Sequence, residues 1–207
     1  NVRGVPIRLS QANTNISVPF LLSSKGYGLL WNNPSLTDFN PADQAITVDA
    51  TGKGKFTTGA KGTYGFLISS DNRDQMIVDV GDHHVIDLRN MWTPTSASGS
   101  VELDANKEYE VVAKGGPKGV ELAVRPPQDM TTFRSEVGEA IDYYFFYGPE
   151  LNRVIADYRQ LTGEAPLFPK WAYGYWQCRE RYHTQEEILG VGTEFRKRKL
   201  PVDALVQ

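Results

Sequence analysis

The sequence predicts a mixed fold, in which a β-rich first half leads into an α/β second half. Three observations support this. Residues 41–127 contain short β-prone segments at regular intervals, separated by turn residues, a spacing typical of a small β-sandwich module. The pair Pro126-Pro127 ends that stretch as a domain boundary would. After Gly148 the pattern changes to helix, strand, helix and strand, which predicts a βαβ unit of an α/β barrel or sheet.

The composition is that of an ordinary globular protein, and it narrows the classes of function. Apolar residues make up 40% of the 207 residues, and the formal net charge is −3. A weakly acidic chain of mixed charge carries no electrostatic signature for nucleic acid. No stretch has the length of a membrane-spanning apolar helix, and the single cysteine excludes an internal disulfide. We therefore expect no nucleic-acid or membrane partner, no metal and no cofactor.

The first strands of the β-rich half are predicted from local signals. Residues 18–22 and 29–31 are strand candidates, and Lys25-Gly26-Tyr27-Gly28 between them is a turn signal.

The run Gly52-Lys53-Gly54-Lys55 lacks the spacing of a phosphate loop and has no helix after it, so it predicts a linker or turn. Later strands of the module are expected at residues 64–68, 75–80, 85–88, 100–103 and 108–113.

The α/β half opens with a strand and a helix. Residues 141–147 predict a strand because they are mostly aromatic. Pro149 suits the first turn of a helix, and Gly163 is the expected end of it. The apolar face of this helix follows helical spacing and comprises Leu151, Val154, Ile155 and Tyr158.

A second strand, helix and strand follow. Residues 171–177 predict a short aromatic strand, and Thr184 with Glu187 has the spacing of a capping box. The apolar stripe of the helix that begins there comprises Ile188, Val191 and Phe195. The last strand starts near Val202 and is expected to be buried. Because the backbone of a buried strand needs neighbours on both sides, we expect the fold to continue beyond this chain.

Possible metal ligands are most concentrated at one predicted turn, and they comprise Asp79, Asp82, His83, His84 and Asp87. Adjacent residues on a strand point to opposite faces, so His83 and His84 cannot readily share one ion. A polar hairpin tip is the expected structure. Calcium binding is a weaker alternative, since no loop of EF-hand type is present. Its candidate oxygen ligands are Asp71, Asn72 and Asp74.

The segment of residues 170–182 is the most unusual in the chain, because it is rich in aromatic residues and ends in charged ones. In a (β/α)₈ barrel the C-terminal end of a strand faces the active site, and aromatic faces with Arg and Glu suit a sugar. A core strand with a solvated loop is an equal alternative. Cys178 and His183 lack a third catalytic group, so a cysteine buried in the strand is expected there.

Several motifs occur in order along the chain: residues 143–148, residues 158–163, residues 166–171, Gln177-Cys178-Arg179 and Leu200-Pro201-Val202-Asp203. Together they resemble the start of the catalytic barrel of glycoside hydrolase family 31. Residues 18–33 look like the family's N-terminal β-sandwich, through Val18-Pro19-Phe20 and residues 23–28.

The stretch between these parts has its own resemblance. Residues 62–72, Val85-Ile86-Asp87 and Val101-Glu102-Leu103 are similar to the protective-antigen-type β-sandwich, a carbohydrate-associated module. The paired aspartates that bind calcium in sugar-binding adhesin versions are absent, so calcium is not carried over. Such an insertion resembles the arrangement in bacterial xyloglucan-active α-xylosidases, where it is thought to extend the site for longer oligosaccharides.

The resemblance implies four parts. Residues 1–40 would be the first part of an N-terminal β-sandwich, and residues 41–127 an inserted small β-sandwich module. Residues 128–147 would be the return strands of the first sandwich. Residues 148–207 would be a linker helix and the truncated start of the (β/α)₈ TIM barrel, with its first βαβ unit.

The resemblance also implies a retaining hydrolysis by two aspartates on later barrel strands, so no catalytic residue is expected in this chain. Asp203 matches an aspartate within the second-strand motif, and its expected role is structural. Glu180 stands where many α-glucosidases carry an aromatic residue, which favours an α-xylosidase. The expected substrate-binding residues are Trp31, Asn32, Asp38, Trp176, Glu180 and Arg181, with Trp92 as a sugar platform in the insertion.

The sequence therefore predicts the N-terminal portion of a retaining α-glycosidase, an α-xylosidase acting on xyloglucan oligosaccharides. The alternatives are an α-glucosidase of the same family and, for this chain alone, a non-catalytic carbohydrate-binding module. A structural insertion packed on a neighbouring subunit is a third alternative. Expected partners are an oligosaccharide substrate and the remainder of the catalytic barrel, and an oligomer is left open. Family habit favours a bacterial periplasmic or exported location.

Overall fold

The computed structural model describes residue 2 and residues 4–11, 16–70, 75–89, 96–115 and 120–207. The chain forms two compact units, Asn1–Ala156 and Asp157–Gln207. The described part is mostly β-sheet with few helices, and none of its helices is long and apolar enough to cross a membrane.

The described strands follow in chain order: β1 (Ile7–Leu9), β2 (Phe20–Ser23), β3 (Tyr27–Trp31), β4 (Thr37–Phe39), β5 (Gln44–Ile46), β6 (Lys53–Thr57), β7 (Gly62–Ser69), β8 (Gln75–Val80), β9 (His83–Arg89), β10 (Ser96–Leu103), β11 (Glu108–Lys114), β12 (Glu121–Arg125), β13 (Phe133–Ser135), β14 (Tyr143–Tyr147), β15 (Trp176–Cys178) and β16 (Ala204–Val206). The helices are α1 (Leu151–Thr162) and α2 (Gln185–Lys197), with a 3₁₀ turn at Lys170–Tyr173. The five later strands predicted in the module correspond to β7 to β11, so those predictions are confirmed.

Eight strands of the first unit form two four-stranded antiparallel sheets, in the orders β10-β7-β12-β5 and β6-β11-β8-β9. Along β11, Tyr109 and Val111 are buried while Glu108 and Glu110 are exposed. This alternation turns one face of the strand inward, as expected of a sheet with one solvated face. Both sheets contribute to one hydrophobic core, which includes Phe66, Ile68, Met76, Val78, Val80 and Leu122.

Two three-stranded antiparallel sheets, β1-β4-β13 and β14-β3-β2, complete the first unit. Each joins strands that precede the eight strands to one that follows them. Gly28 of β3 permits a close approach, since a Cβ atom there would lie 2.6 Å from Phe20 and 2.7 Å from Val154. Helix α1 therefore packs on this sheet through Val154, the buried residue of its predicted apolar face, whereas Leu151 and Ile155 are exposed.

The second unit contains a parallel strand pair. Strands β15 and β16 run parallel with Cys178 opposite Val206, and α2 connects them, as a βαβ connection requires. Thr184 caps α2, because its Oγ1 accepts the Glu187 N–H at 3.2 Å. The other half of the predicted capping box differs, since the Glu187 carboxylate accepts the N–H of His183 at 2.7 Å.

Four local predictions are wrong. The run predicted as a linker lies largely in β6, which is held as an edge strand by pairing with β11. Residues 171–177 do not form one strand, because β15 begins only at Trp176, where β16 supplies a pairing partner. Cys178 is exposed rather than buried, and β16 is half-buried rather than buried.

Candidate functional site

Trp31 is the last residue of β3, and its side chain is held by residues about a hundred positions later in the chain. Its indole Nε1 donates to Ser135 Oγ at 2.9 Å, and its ring stacks on Phe133 with the ring centroids 5.3 Å apart. Both partners belong to β13. The half-buried indole is therefore held in one orientation by contacts that no local sequence pattern could indicate.

Asn32 follows Trp31 and is exposed. Its Nδ2 donates to Asp142 Oδ2 at 2.5 Å, and its backbone N–H donates to the Asp142 carbonyl at 3.0 Å. The structure thus brings Trp31 and Asn32 together at one strand end.

Asp38 lies between two arginines on the β1-β4-β13 sheet. It pairs in register with Arg8 on one side and Arg134 on the other. Its Oδ1 accepts from Arg8 Nε at 3.0 Å, and its Oδ2 lies 3.3 Å from Arg134. The hydrogen bond to Asp38 raises the pKa of Arg8. Asp38 is thus largely occupied by side chains of its own sheet.

Arg134 extends this charged row to a second carboxylate. It contacts Asp43 Oδ1 at 2.7 Å, and this hydrogen bond is the main reason that the pKa of Arg134 is raised. The row of Arg8, Asp38, Arg134 and Asp43 is balanced in charge, with two arginines against two carboxylates. Sequence reasoning missed both arginines, because they lie far from Asp38 along the chain.

In the second unit, Trp176 stands on β15 with 46% of its surface exposed. It stacks on Trp171, with the ring centroids 5.6 Å apart and the planes inclined by 24°. Glu180 and Arg181 lie in the loop that follows β15, and both are exposed. These three predicted residues therefore share the second unit, whereas Trp31, Asn32 and Asp38 belong to the first.

Asp203 has a structural contact, in agreement with its expected role. Its Oδ2 accepts the backbone N–H of Tyr175 at 3.1 Å, and its own N–H donates to the Tyr175 carbonyl at 2.9 Å. This pair of bonds connects the start of β16 to the start of β15.

The cluster of Asp79, Asp82, His83, His84 and Asp87 lies on the hairpin of β8 and β9, so the predicted polar hairpin tip is confirmed. His84 Nδ1 lies 2.5 Å from Asp79 Oδ1, and its Nε2 lies 3.1 Å from Asp87 Oδ2. Within the described residues, no three His, Cys, Asp or Glu side chains are grouped to hold a metal ion. Trp92 and the calcium candidates Asp71, Asn72 and Asp74 lie outside the described residues.

The chemistry available at the second-unit site is that of binding. Glu180 and Arg181, a carboxylate and a guanidinium, follow the carboxyl end of β15, which is where parallel α/β folds bind their ligands. The exposed indole of Trp176 lies at the other end of this three-residue strand. Such groups offer an apolar face together with hydrogen-bond donors and acceptors. That combination matches an uncharged ligand with apolar faces and many hydroxyls.

Similar proteins share one family. Residues 165–207 match the glycosyl hydrolases family 31 TIM-barrel domain. An α-xylosidase of Saccharolobus solfataricus is 34% identical over 203 residues, which are 98% of this chain and 16% of that protein. An uncharacterised family 31 glucosidase of Pseudescherichia vulneris is 25% identical over 206 residues, which are 100% of this chain and 23% of that protein.

A solved structure gives the same result. The GH31 α-xylosidase of Xanthomonas citri matches 99% of this chain and 30% of its own chain, with a TM-score of 0.75 and 26% identity. The chain thus spans less than a third of each of these three relatives. These matches show that the chain belongs to glycoside hydrolase family 31 and corresponds to the N-terminal part of its members.

Proposed function

We propose that this chain is the N-terminal portion of a retaining α-glycosidase, an α-xylosidase that releases α-xylose from xyloglucan oligosaccharides. The observation that supports this most is the extent of the likeness to α-xylosidases. It covers 98% of the chain in sequence and 99% in structure, and so includes the eight-stranded stretch as well as the parallel strand pair.

The proposed domain organisation follows the topology. Residues 1–40 and 128–147 form the N-terminal β-sandwich, since β4 pairs with β13 and β3 with β14 across the intervening stretch. Residues 41–127 are the inserted module, whose two sheets share a core of their own. Residues 148–207 are the linker helix and the start of the (β/α)₈ barrel, supported by the parallel pairing of β15 with β16 and by the family match.

In the proposed mechanism this chain helps to bind the glycoside and supplies no catalytic residue for its hydrolysis. Retaining hydrolysis needs one carboxylate as nucleophile and a second as acid and base, and the family resemblance implies that both would come from later barrel strands. The isolated 207 residues should therefore hydrolyse no glycoside. Turnover by a purified fragment free of host glycosidase would contradict this.

The proposed sugar contacts fall into two groups. Trp176, Glu180 and Arg181 are the proposed sugar contacts of the second unit, and Trp31 and Asn32 are those of the first unit. Asp38 would act mainly by ordering its sheet, because two arginines already engage it. Trp92 stays a proposed sugar platform of the inserted module.

The test uses the full-length enzyme that contains this chain. Rates on aryl α-xyloside and aryl α-glucoside are compared for the wild type and for the variants Glu180→Gln and Glu180→Tyr. We expect a preference for xyloside in the wild type. Glu180→Tyr, which restores the aromatic residue of many α-glucosidases, should shift that preference toward glucoside. A wild type that prefers glucoside would support the second candidate, an α-glucosidase, which the Pseudescherichia relative favours.

A further inference from the structure

A single carboxylate fixes the loop between β15 and α2 at both ends. Glu187, in the first turn of α2, accepts from Arg179 Nη1 at 2.8 Å on Oε1 and from the backbone N–H of His183 at 2.7 Å on Oε2. Arg179 is the first residue of the loop, and His183 stands just before the cap residue of the helix. Two separate positions of the loop are thereby connected to one side chain.

Tyr182 holds the middle of the same loop. It is only 2% exposed, and its hydroxyl accepts from Gln177 Nε2 at 3.1 Å. The Arg179 guanidinium lies 5.5 Å from the centroid of its ring, within range of a cation–π contact. The anchored residues leave Glu180 and Arg181 between them. In the part of the chain that the structure describes, no hydrogen bond or ion pair engages either of these exposed side chains.

This loop lies where a ligand of a parallel fold is expected. Cys178 and Val206 are opposite each other at the carboxyl ends of β15 and β16, and the loop starts directly after Cys178. Ordering a mobile loop upon binding lowers affinity, because conformational entropy is lost at that moment. A loop fixed in advance avoids that cost.

We propose that Glu187 is a positioning residue, which holds Glu180 and Arg181 in place for glycoside binding through Arg179 and the His183 N–H. This inference rests on the proposed function above. The Arg179 side chain is 54% exposed and that of Glu187 31%, so the ion pair itself adds little to stability. The ion pair is expected to act by keeping the loop ordered, and thereby to raise the affinity for substrate.

The chain offers a matched control at the other end of the same helix. Glu194 contacts Arg198 Nε at 2.5 Å in an exposed ion pair of the same kind, far along α2 from the loop. Glu187→Ala and Glu194→Ala therefore remove similar pairs from one helix. Glu187→Gln keeps an acceptor for the His183 N–H and loses only the charge that faces Arg179.

The experiment measures kcat and KM of the full-length enzyme on aryl α-xyloside. We expect Glu187→Ala to raise KM about tenfold with kcat changed less than about threefold, and Glu187→Gln to have an intermediate effect. Glu194→Ala should leave both constants unchanged. Because Glu187 acts through the loop, the double variant Glu180→Ala/Glu187→Ala should be no worse than the poorer single variant. An unchanged KM in Glu187→Ala, or fully additive effects, would overturn the proposal.

Hydrogen exchange supplies a readout that does not depend on activity. Amides of residues 180–183 should exchange at least about tenfold faster in Glu187→Ala, and those of β15 should be unaffected. A wild type that cleaves no α-glycoside would refute the proposed function. An active wild type whose loop exchanges at the same rate in Glu187→Ala would refute the positioning role alone.

Discussion

The carboxylate of Asp203 occupies the space that a side chain at Gly174 would need. A Cβ atom built on Gly174 would collide with Asp203 Oδ2, which accepts the N–H of the next residue, Tyr175, at 3.1 Å. The glycine in this position is thus required for steric reasons, since it lets the start of β16 bind the start of β15.

Gly174→Ala should therefore destabilise the protein by about 1–3 kcal/mol, the usual cost of overpacking. The control is Gly190→Ala in α2. A Cβ atom there meets nothing within 4 Å, so alanine should stabilise the helix by about 0.5–1 kcal/mol. Thermal unfolding midpoints of the two variants should shift in opposite directions, and shifts of equal sign would contradict the close contact.

The shared core of the two four-stranded sheets is tested on one strand. Val111 of β11 is fully buried, whereas its neighbour Val112 is only partly buried. Val111→Ala should cost about 2 kcal/mol through lost burial and a cavity. Val112→Ala, the same chemical change on the other face, should cost less than half as much. Denaturant unfolding measures both, and equal costs would argue against the inward face assigned to Val111.

His84 should make stability depend on pH. The hydrogen bonds that the imidazole donates to Asp79 and then to Asp87 raise the pKa of His84 above its ordinary value of 6.5, and the bond to His84 is the main cause that lowers the pKa of Asp87. A raised histidine pKa contributes stability below about pH 6.5, and this contribution is lost as the pH rises through the folded-state value. The wild type should therefore exceed His84→Asn in unfolding midpoint most at about pH 5.5 and progressively less up to about pH 8.5. A difference that stays constant over this range would show that the pair is not coupled to folding.

Two variants can distinguish the role of the Trp31 indole in substrate binding from the role of its hydrogen bond in stability. Trp31→Phe and Ser135→Ala both remove the 2.9 Å bond between Nε1 and Ser135 Oγ, a loss that should cost about 1 kcal/mol. Ser135→Ala should cost more, because it also removes the 2.7 Å hydrogen bond with the buried Thr37 Oγ1. The double variant should cost less than the sum of the two. Only Trp31→Phe removes the indole, and only it should raise KM in the full-length enzyme. A rise in KM of similar size in Ser135→Ala would mean that Trp31 acts through the sheet and not by contact with the sugar.

Local signals predicted the strands β7 to β11 and both helices well, because alternation, helical spacing and the Thr184 cap are properties of adjacent residues. The edge strand β6 was predicted as a linker. Its Lys53-Gly54-Lys55 sequence has little apolar character, and pairing with β11 is what makes it a strand. Tertiary pairing decides such segments and is absent from a local pattern.

The site shows the same division. Composition singled out residues 170–182, and the family resemblance led to Trp176, Glu180 and Arg181 as expected sugar contacts. Neither could show that Arg8 and Arg134 flank Asp38, because the topology brings β1 and β13 to β4 from distant positions. The capping-box spacing correctly predicted that Glu187 lies in the first turn of α2. Its carboxylate accepts hydrogen bonds from Arg179 and from the backbone N–H of His183. These partners depend on the conformation of the loop, which the capping-box spacing does not indicate.

The most direct test of the proposed α-xylosidase activity is a rate comparison on the full-length enzyme that contains this chain, with aryl α-xyloside and aryl α-glucoside as substrates and residues 1–207 as the blank. We expect a strong preference for the xyloside and no turnover by the blank. Preference for the glucoside would contradict the proposed action on α-xylose and leave the proposed inserted module of residues 41–127 without a role.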